Sequence, residues 1–249
     1  MAQTAVQPQK PKLLQTLLIA WLVANFALPG LAALLVGGWY LRWPTLPGMA
    51  AELGLIMLPN LALPILVLRR WFHVPIRSIP MELGWQWNGW RSVIVGLGFF
   101  ALSFPLNAIV VSRFGASIPY NLPGQPAPFQ PQGIVEVFGV LALLLLFLVL
   151  TVAGEETMFR GFLQTQLGDR FGPWSGLLLA ALLFGLRHLP ADLFYAQVWD
   201  ASPQMWAARL AQLYLTALLL GGARLVGRST WASAIFHGLI LLQAFFGLG

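Results

Sequence analysis

Glu155 and Glu156 stand side by side in the most apolar stretch of the chain, VLALLLLFLVLTVAGEETMFRGFLQTQLG. Charges set in such a stretch are costly, and at membrane depth they usually face a cavity and mark a working site. His188 and His237 lie further on, each at the edge of or inside another apolar run. A carboxylate and an imidazole brought together can take up and return a proton, so the chemistry within reach is activation of a water molecule. Spacing assigns first roles. Glu156 and Arg160 are four residues apart, share a helix face and can pair. Glu155 is rotated about 100° from Glu156 and has no local partner, which leaves it as the free general base. Phe184 and His188 are also four apart, an arrangement that stacks the ring against the imidazole and fixes its approach. Arg187 reads as a snorkelling or loop residue, and the other acidic residues mostly as loop residues.

These roles need helices that carry the groups to one depth. No proline follows Glu156 before the turn signal Gly168-Asp169-Arg170-Phe171-Gly172, so the helix is expected to run through both glutamates to about Leu167, with Gly161 as its weak point. With the turn centred near Arg170, Glu155 lies 15 residues before it and His188 lies 18 after it. Those separations are roughly 22 and 27 Å along two antiparallel helices, which brings the side chains to similar depth. His237 falls eight residues into the last apolar segment.

The composition says what surrounds those helices. Of 249 residues, 58% are hydrophobic and only 9% charged, and the mean hydropathy is +0.76. A soluble domain carries about 25% charged residues, so a soluble enzyme and a disordered tail are both excluded. The net charge of +6 comes from 14 basic residues strewn singly or in pairs, which is no nucleic-acid-binding patch. The chain has no cysteine, hence no disulfide, thiolate catalysis or cysteine-bound zinc.

Apolar segments long enough or nearly long enough to span a bilayer fall at 13–40, 53–68, 92–112, 134–167, 173–188, 205–223 and 230–248. The expected fold is all-α: a polytopic integral membrane helix bundle of about seven transmembrane helices, one membrane domain over residues 1–249. Residues 1–12 read as a polar cytoplasmic tail. Residues 69–91 mix arginine with tryptophan, the composition of a segment at the headgroup layer. Residues 113–133 and 189–204 read as loops. With the N-terminus cytoplasmic, Lys10, Lys12, Arg69, Arg70, Arg77, Arg91, Arg160, Arg170, Arg224 and Arg228 lie inside and only Arg42, Arg113, Arg187 and Arg209 outside. That bias is the one the positive-inside rule expects for a cytoplasmic N-terminus, and the expected location is the cell (plasma) membrane.

Three blocks in order carry a family resemblance: Glu155-Glu156-Thr-Met-Phe-Arg160, Phe184-Gly-Leu-Arg-His188, and Arg228-Ser-Thr-Trp-Ala-Ser-Ala-Ile-Phe-His237. They resemble the CAAX protease and bacteriocin-processing family of intramembrane endopeptidases, over a catalytic core of about residues 134–245. The resemblance implies that Glu155 and His188 activate the attacking water, that Glu156 and Arg160 order the site or help hold substrate, and that His237 sits across the cavity. It implies a membrane-associated protein or peptide as substrate, prenylated in some members. The family usually has Asn or Asp four residues after the third-block histidine, where this chain has Leu241, and the oxyanion role could pass to Arg160 or His237. Gln243, about 200° further round the helix, is no simple replacement.

A divalent metal such as zinc is the one cofactor the residues leave open, with Glu155, His188 and His237 as ligands. There is no H-E-x-x-H, and adjacent glutamates cannot both point at one ion without strain, so water activation without metal is slightly preferred. Two rival readings stand beside the protease: a non-catalytic family member that binds a membrane partner or confers immunity, and a Glu–His proton-coupled transporter. The absence of an internal repeat weighs against the transporter. Cysteines placed singly at 155, 188 and 237 in this cysteine-free chain should cross-link in native membranes through short thiol reagents, 155 with both of the others. Failure of 155 and 188 to link, with modification from opposite sides by an impermeant reagent, would show that the helix ends before Glu155.

Overall fold

The structure is a computed structural model and describes residues 13–28, 52–119 and 133–246. All regular structure among these residues is helical. Helix α1 (Leu13–Leu22) runs on into a π-turn, and α2 spans Leu53–Arg70. A connector with one short helix, α3 (Ile79–Glu82), leads to α4 (Trp90–Phe114). Helix α5 (Ile134–Glu155) continues without a break through a π-helical stretch, Glu156–Leu163, into α6 (Gln164–Phe171). Then follow α7 (Pro173–Leu186), α8 (Leu189–Val198), α9 (Pro203–Gly227) and α10 (Thr230–Phe246). Three of these, α2, α4 and α9, are long and apolar enough to cross a membrane, and the bent pair α7–α8 makes a fourth if it is one span. The first segment is helical over its described part, and its remainder from residue 29 lies outside the described residues, as does the polar tail 1–12.

Local chemistry explains the element boundaries. Gly172 adopts a φ of +92°, open to glycine and strained for other residues, and Pro173 begins α7 where its missing N–H costs nothing. Ser202 caps α9 by accepting a hydrogen bond from the Met205 N–H at 3.3 Å, with Pro203 next to it. Residues 189–204 are not the loop the sequence suggests. Pro190 sits in the first turn of α8, so a second helix can start there but cannot prolong α7 straight, and the two meet at a 42° bend. The inner face of α8 holds Asp192, fully buried and bonded to Arg209 Nε at 3.0 Å. A buried carboxylate needs such a partner, and the pair fastens α8 to α9.

Helices α6 and α7 form a close hairpin, and α9 packs against α4, α7 and α10. The largest buried cluster surrounds the π-helical stretch. Met158, Phe159, Phe162 and Leu163 are fully enclosed by side chains that include Leu17, Trp21, Leu83 and Phe184. Outside, large apolar side chains face outward along α4 and α5, among them Ile94, Ile109, Leu145 and Val149. That is the surface of a protein whose solvent is lipid. Trp71, Trp87, Trp90 and Trp174 are exposed where α2 ends and α4 and α7 begin, Trp90 to 78%, as an interfacial belt requires.

The Arg/Trp-rich connector is no loose strap. Ile79 and Leu83 are buried. Trp85 Nε1 donates to Thr157 Oγ1 at 3.0 Å, and Thr230 donates through Oγ1 to the Leu83 carbonyl at 2.7 Å. The connector therefore forms a floor beneath the π-helical stretch. It comes so close that a Cβ on Gly161 would stand 2.8 Å from the Leu83 carbonyl oxygen. The predicted weak point is thus a closest-approach position. Gly161→Ala should lower stability by about 1–3 kcal/mol through overpacking, measured by thermal or denaturant unfolding in detergent. Gly98→Ala, where no atom lies within 4 Å of the new Cβ, should cost nothing.

Candidate functional site

The helix passes through both glutamates as the sequence predicts, and it changes its winding as it does so. Residues Glu156–Leu163 are π-helical. A π-turn is wider than an α-turn and turns successive side chains less sharply apart, and such turns recur at functional sites. The π-turn begins at Glu156, and the two glutamates reach the same imidazole. Glu156 Oε1 lies 2.7 Å from His237 Nδ1, and Glu155 Oε2 lies 3.6 Å from His237 Nε2. The expected division into one paired and one solitary glutamate therefore does not hold.

Glu155 is also not solitary on its other side. Its Oε1 pairs with the Arg187 guanidinium, with both side chains buried. The sequence reading put Arg187 in a loop or at the interface. The bend after Leu186 instead keeps its side chain inside the bundle. Glu156 pairs with Arg160 at 3.4 Å, as predicted, and Arg160 Nη2 reaches the Ala217 carbonyl at 3.4 Å. Two carboxylates and two guanidiniums thus alternate about His237, each beside an opposite charge.

The turn that sets the depth falls at Gly172, slightly later than expected. Glu155 lies 17 residues before it and His188 lies 16 after it, an even closer match in depth than the sequence implied. His188 Nδ1 sits 2.9 Å from the Phe184 carbonyl oxygen. A carbonyl can only accept, so Nδ1 carries the hydrogen and Nε2 is left as an acceptor. The expected stacking is present, with Phe184 and His188 ring centroids 5.0 Å apart. Phe184 does more than the sequence suggests. Its ring lies 6.4 Å from His237 and 4.5 Å from the Arg160 guanidinium. One aromatic side chain thus spaces three charged or polar groups, His188, His237 and Arg160.

Glu155, His188 and His237 line one cavity of about 710 Å³. It lies in the half of the bundle away from the exposed tryptophans, between the second half of α4, the first half of α9 and the second half of α10. Its walls are mostly apolar, with Phe104, Phe147, Ile240 and Leu241 among them. Glu156 and Arg160 do not line it. They stand behind His237, so Arg160 is not placed to meet an oxyanion in the cavity. The polar residues that line it include Glu52, Arg187, Arg209 and Gln243, none of which the sequence assigns to the site. Glu52, one of the acidic residues given no role in the sequence, is helical. Gln243 reaches the cavity with Leu241 because both lie along the last turns of α10.

Among the described residues, no three His, Cys, Asp or Glu side chains form a group that could hold a metal ion. His237 is engaged at Nδ1 by Glu156 and His188 at Nδ1 by a carbonyl, which leaves Nε2 as the nitrogen each imidazole could offer to a metal or a water.

Residues 137–242 match the family model described as type II CAAX prenyl endopeptidase Rce1-like. Neither the curated proteins nor the solved structures contain a match to the chain. The matched residues include all three sequence blocks, and the match is a likeness to that family over this part of the chain.

The shared imidazole gives a measurable signature. Glu156→Gln and His237→Ala should each destabilise the protein, and the double variant should lose less than the sum. The expected coupling is about 0.5–3 kcal/mol for residues in direct contact. Additive losses in unfolding free energy would show that the two side chains do not meet.

Proposed function

We propose that this protein, similar over residues 137–242 to the type II CAAX prenyl endopeptidase family, hydrolyses a peptide bond of a membrane-associated protein or peptide with a water activated by Glu155 and His188. The observation that carries the reading is the convergence of Glu155, His188 and His237 on one largely apolar cavity. Apolar walls suit a hydrophobic or prenylated segment, and they strengthen every electrostatic contact within.

In this scheme Glu155 accepts one proton of the water, while His188 Nε2 accepts a hydrogen bond from the other and orients the lone pair. The oxygen attacks the scissile carbonyl carbon, a C–O bond forms, and negative charge gathers on the carbonyl oxygen. Arg187 is the cation beside that point. Its Nε has no partner among the described residues, so its guanidinium retains donors beyond the one given to Glu155. It takes the oxyanion role, which Arg160 is too deep to fill and Leu241 cannot fill. The intermediate then collapses, the C–N bond breaks, and the proton held by Glu155 passes to the departing amine. Glu156 and Arg160 are positioning residues. Glu156 fixes the His237 tautomer through Nδ1, and His237 Nε2 faces the Glu155 carboxylate that must hold its aim.

No step in the scheme runs through a metal. The test is cleavage of a quenched-fluorescence lipopeptide by the purified protein in detergent. Glu155→Gln should lower kcat/KM of the folded protein by about 10²–10⁴, the usual worth of a positioned general base, and should also lower the melting temperature, because Arg187 loses its buried partner. Dialysis against a chelator should leave the rate of the wild type unaltered. Loss on chelation with recovery on adding zinc would replace the scheme. Equal phenotypes for wild type and Glu155→Gln in cells would make the cavity a binding site, the reading that Leu241 in its wall favours.

A further inference from the structure

At the tryptophan-bearing end of the bundle there is a second, smaller cavity of about 230 Å³, beneath the α6–α7 turn. Arg160, Gln164, Asp169 and Arg224 line it, with Gly168 and Leu225. The charge of Arg160 is already met by Glu156. That of Arg224 is not. Arg224 lies in the last turn of α9 and has no ion pair or hydrogen bond with any described residue, and its Nε is buried without a partner. Asp169 stands on the exposed rim and forms no ion pair with it.

The room for the guanidinium is built into the backbone. Gly84 has a φ of +69°, and a Cβ there would stand 2.4 Å from Arg224 Nη2. The turn at Gly84 is held by its carbonyl, which accepts from the Thr230 N–H at 2.8 Å. A second group in the cavity is also incomplete. Gln164 gives Nε2 to the Gly221 carbonyl at 3.0 Å, which leaves Oε1 buried and unpartnered. A half-buried cation without an anion and a buried acceptor without a donor are each costly. Together they describe the complement of one ligand.

We propose that this cavity binds a phosphate group that also presents a hydroxyl. The Arg224 fork takes the phosphate oxygens, and Gln164 Oε1 accepts from the hydroxyl. A phospholipid headgroup with a free hydroxyl and a soluble phosphate share this chemistry. The position at the tryptophan belt suits a headgroup. The site is separate from the Glu155 cavity and does not depend on peptidase activity.

The test is thermal unfolding of the full chain in detergent, titrated with inorganic phosphate or with short-chain phosphatidylglycerol, and phosphatidylcholine as the comparison. Ligand that binds the folded state raises the melting temperature. Phosphatidylglycerol should raise it and phosphatidylcholine should not. Arg224→Gln should weaken the response roughly tenfold or more, as loss of a charged hydrogen bond predicts. Arg113→Gln, which removes the same charge at the far end of α4, should respond like wild type. A response to inorganic phosphate as strong as to the lipid would assign a soluble phosphate as the source, and a response to lipid alone would assign the headgroup. Should Arg224→Gln fail to fold, Arg224→Lys keeps the charge without the fork and should respond weakly. Equal responses to both lipids with none to phosphate would overturn the site, as would a wild-type response from whichever Arg224 variant folds.

Discussion

The structure depends on one constraint: the charges at the centre of this bundle are held there by opposite charge. Glu155, Glu156, Arg160 and Arg187 sit in an interior of phenylalanine, leucine and alanine. Breaking a buried pair by removing one partner costs about 3–5 kcal/mol, because the survivor stays desolvated. The four charges are therefore coupled through His237 and cannot be moved independently. This ties together elements distant in sequence: the end of α5, the end of α7 and the middle of α10. The Asp192–Arg209 pair extends the same logic to α8 and α9.

What was legible in the sequence was what polar residues do in an apolar run. Glu155, Glu156 and His237 break a hydrophobic pattern, and nothing in solvent explains them. The depth argument worked because it needs only a rise per residue and the position of one turn. Arg187 was not legible for a definite reason. A long cationic side chain at a helix end can reach out to water or fold back inside, and local sequence is the same in both cases. The 42° bend between α7 and α8 decides between them, and that bend is a tertiary fact. Asp192 was misplaced for a related reason. Pro190 signals a break, and a break reads as a loop, but here it starts a second helix.

The π-helical stretch has no sequence signal at all, and it matters most for the site. An α-helix would set Glu155 and Glu156 about 100° apart, which is why the sequence suggested separate jobs for them. In the structure both reach His237, one at each ring nitrogen, where the π-helical stretch begins. Such a turn is less favourable than the α-helix and needs support. The support is visible in the packing: the stretch is wholly enclosed, bonded to the connector through Thr157 and Trp85, and approached to contact at Gly161. The connector thus does more than anchor the protein at the interface. It braces the backbone that aims the carboxylates.

The same distinction between register and space bears on Leu241. Read along α10, the chain lacks a polar group four residues after His237, and one expects a weaker site. Read across the cavity, Arg187 and Gln243 bring donors to the walls that Leu241 shares. A transition state responds to where a donor stands and not to which helix supplies it. A guanidinium fixed by Glu155 is already oriented before any substrate arrives, so little reorganisation is left for the moment of reaction. The substitution on α10 is therefore compatible with hydrolysis provided the bend after Leu186 holds Arg187 inward. The hinge between α7 and α8 then belongs to the site as much as the glutamates do.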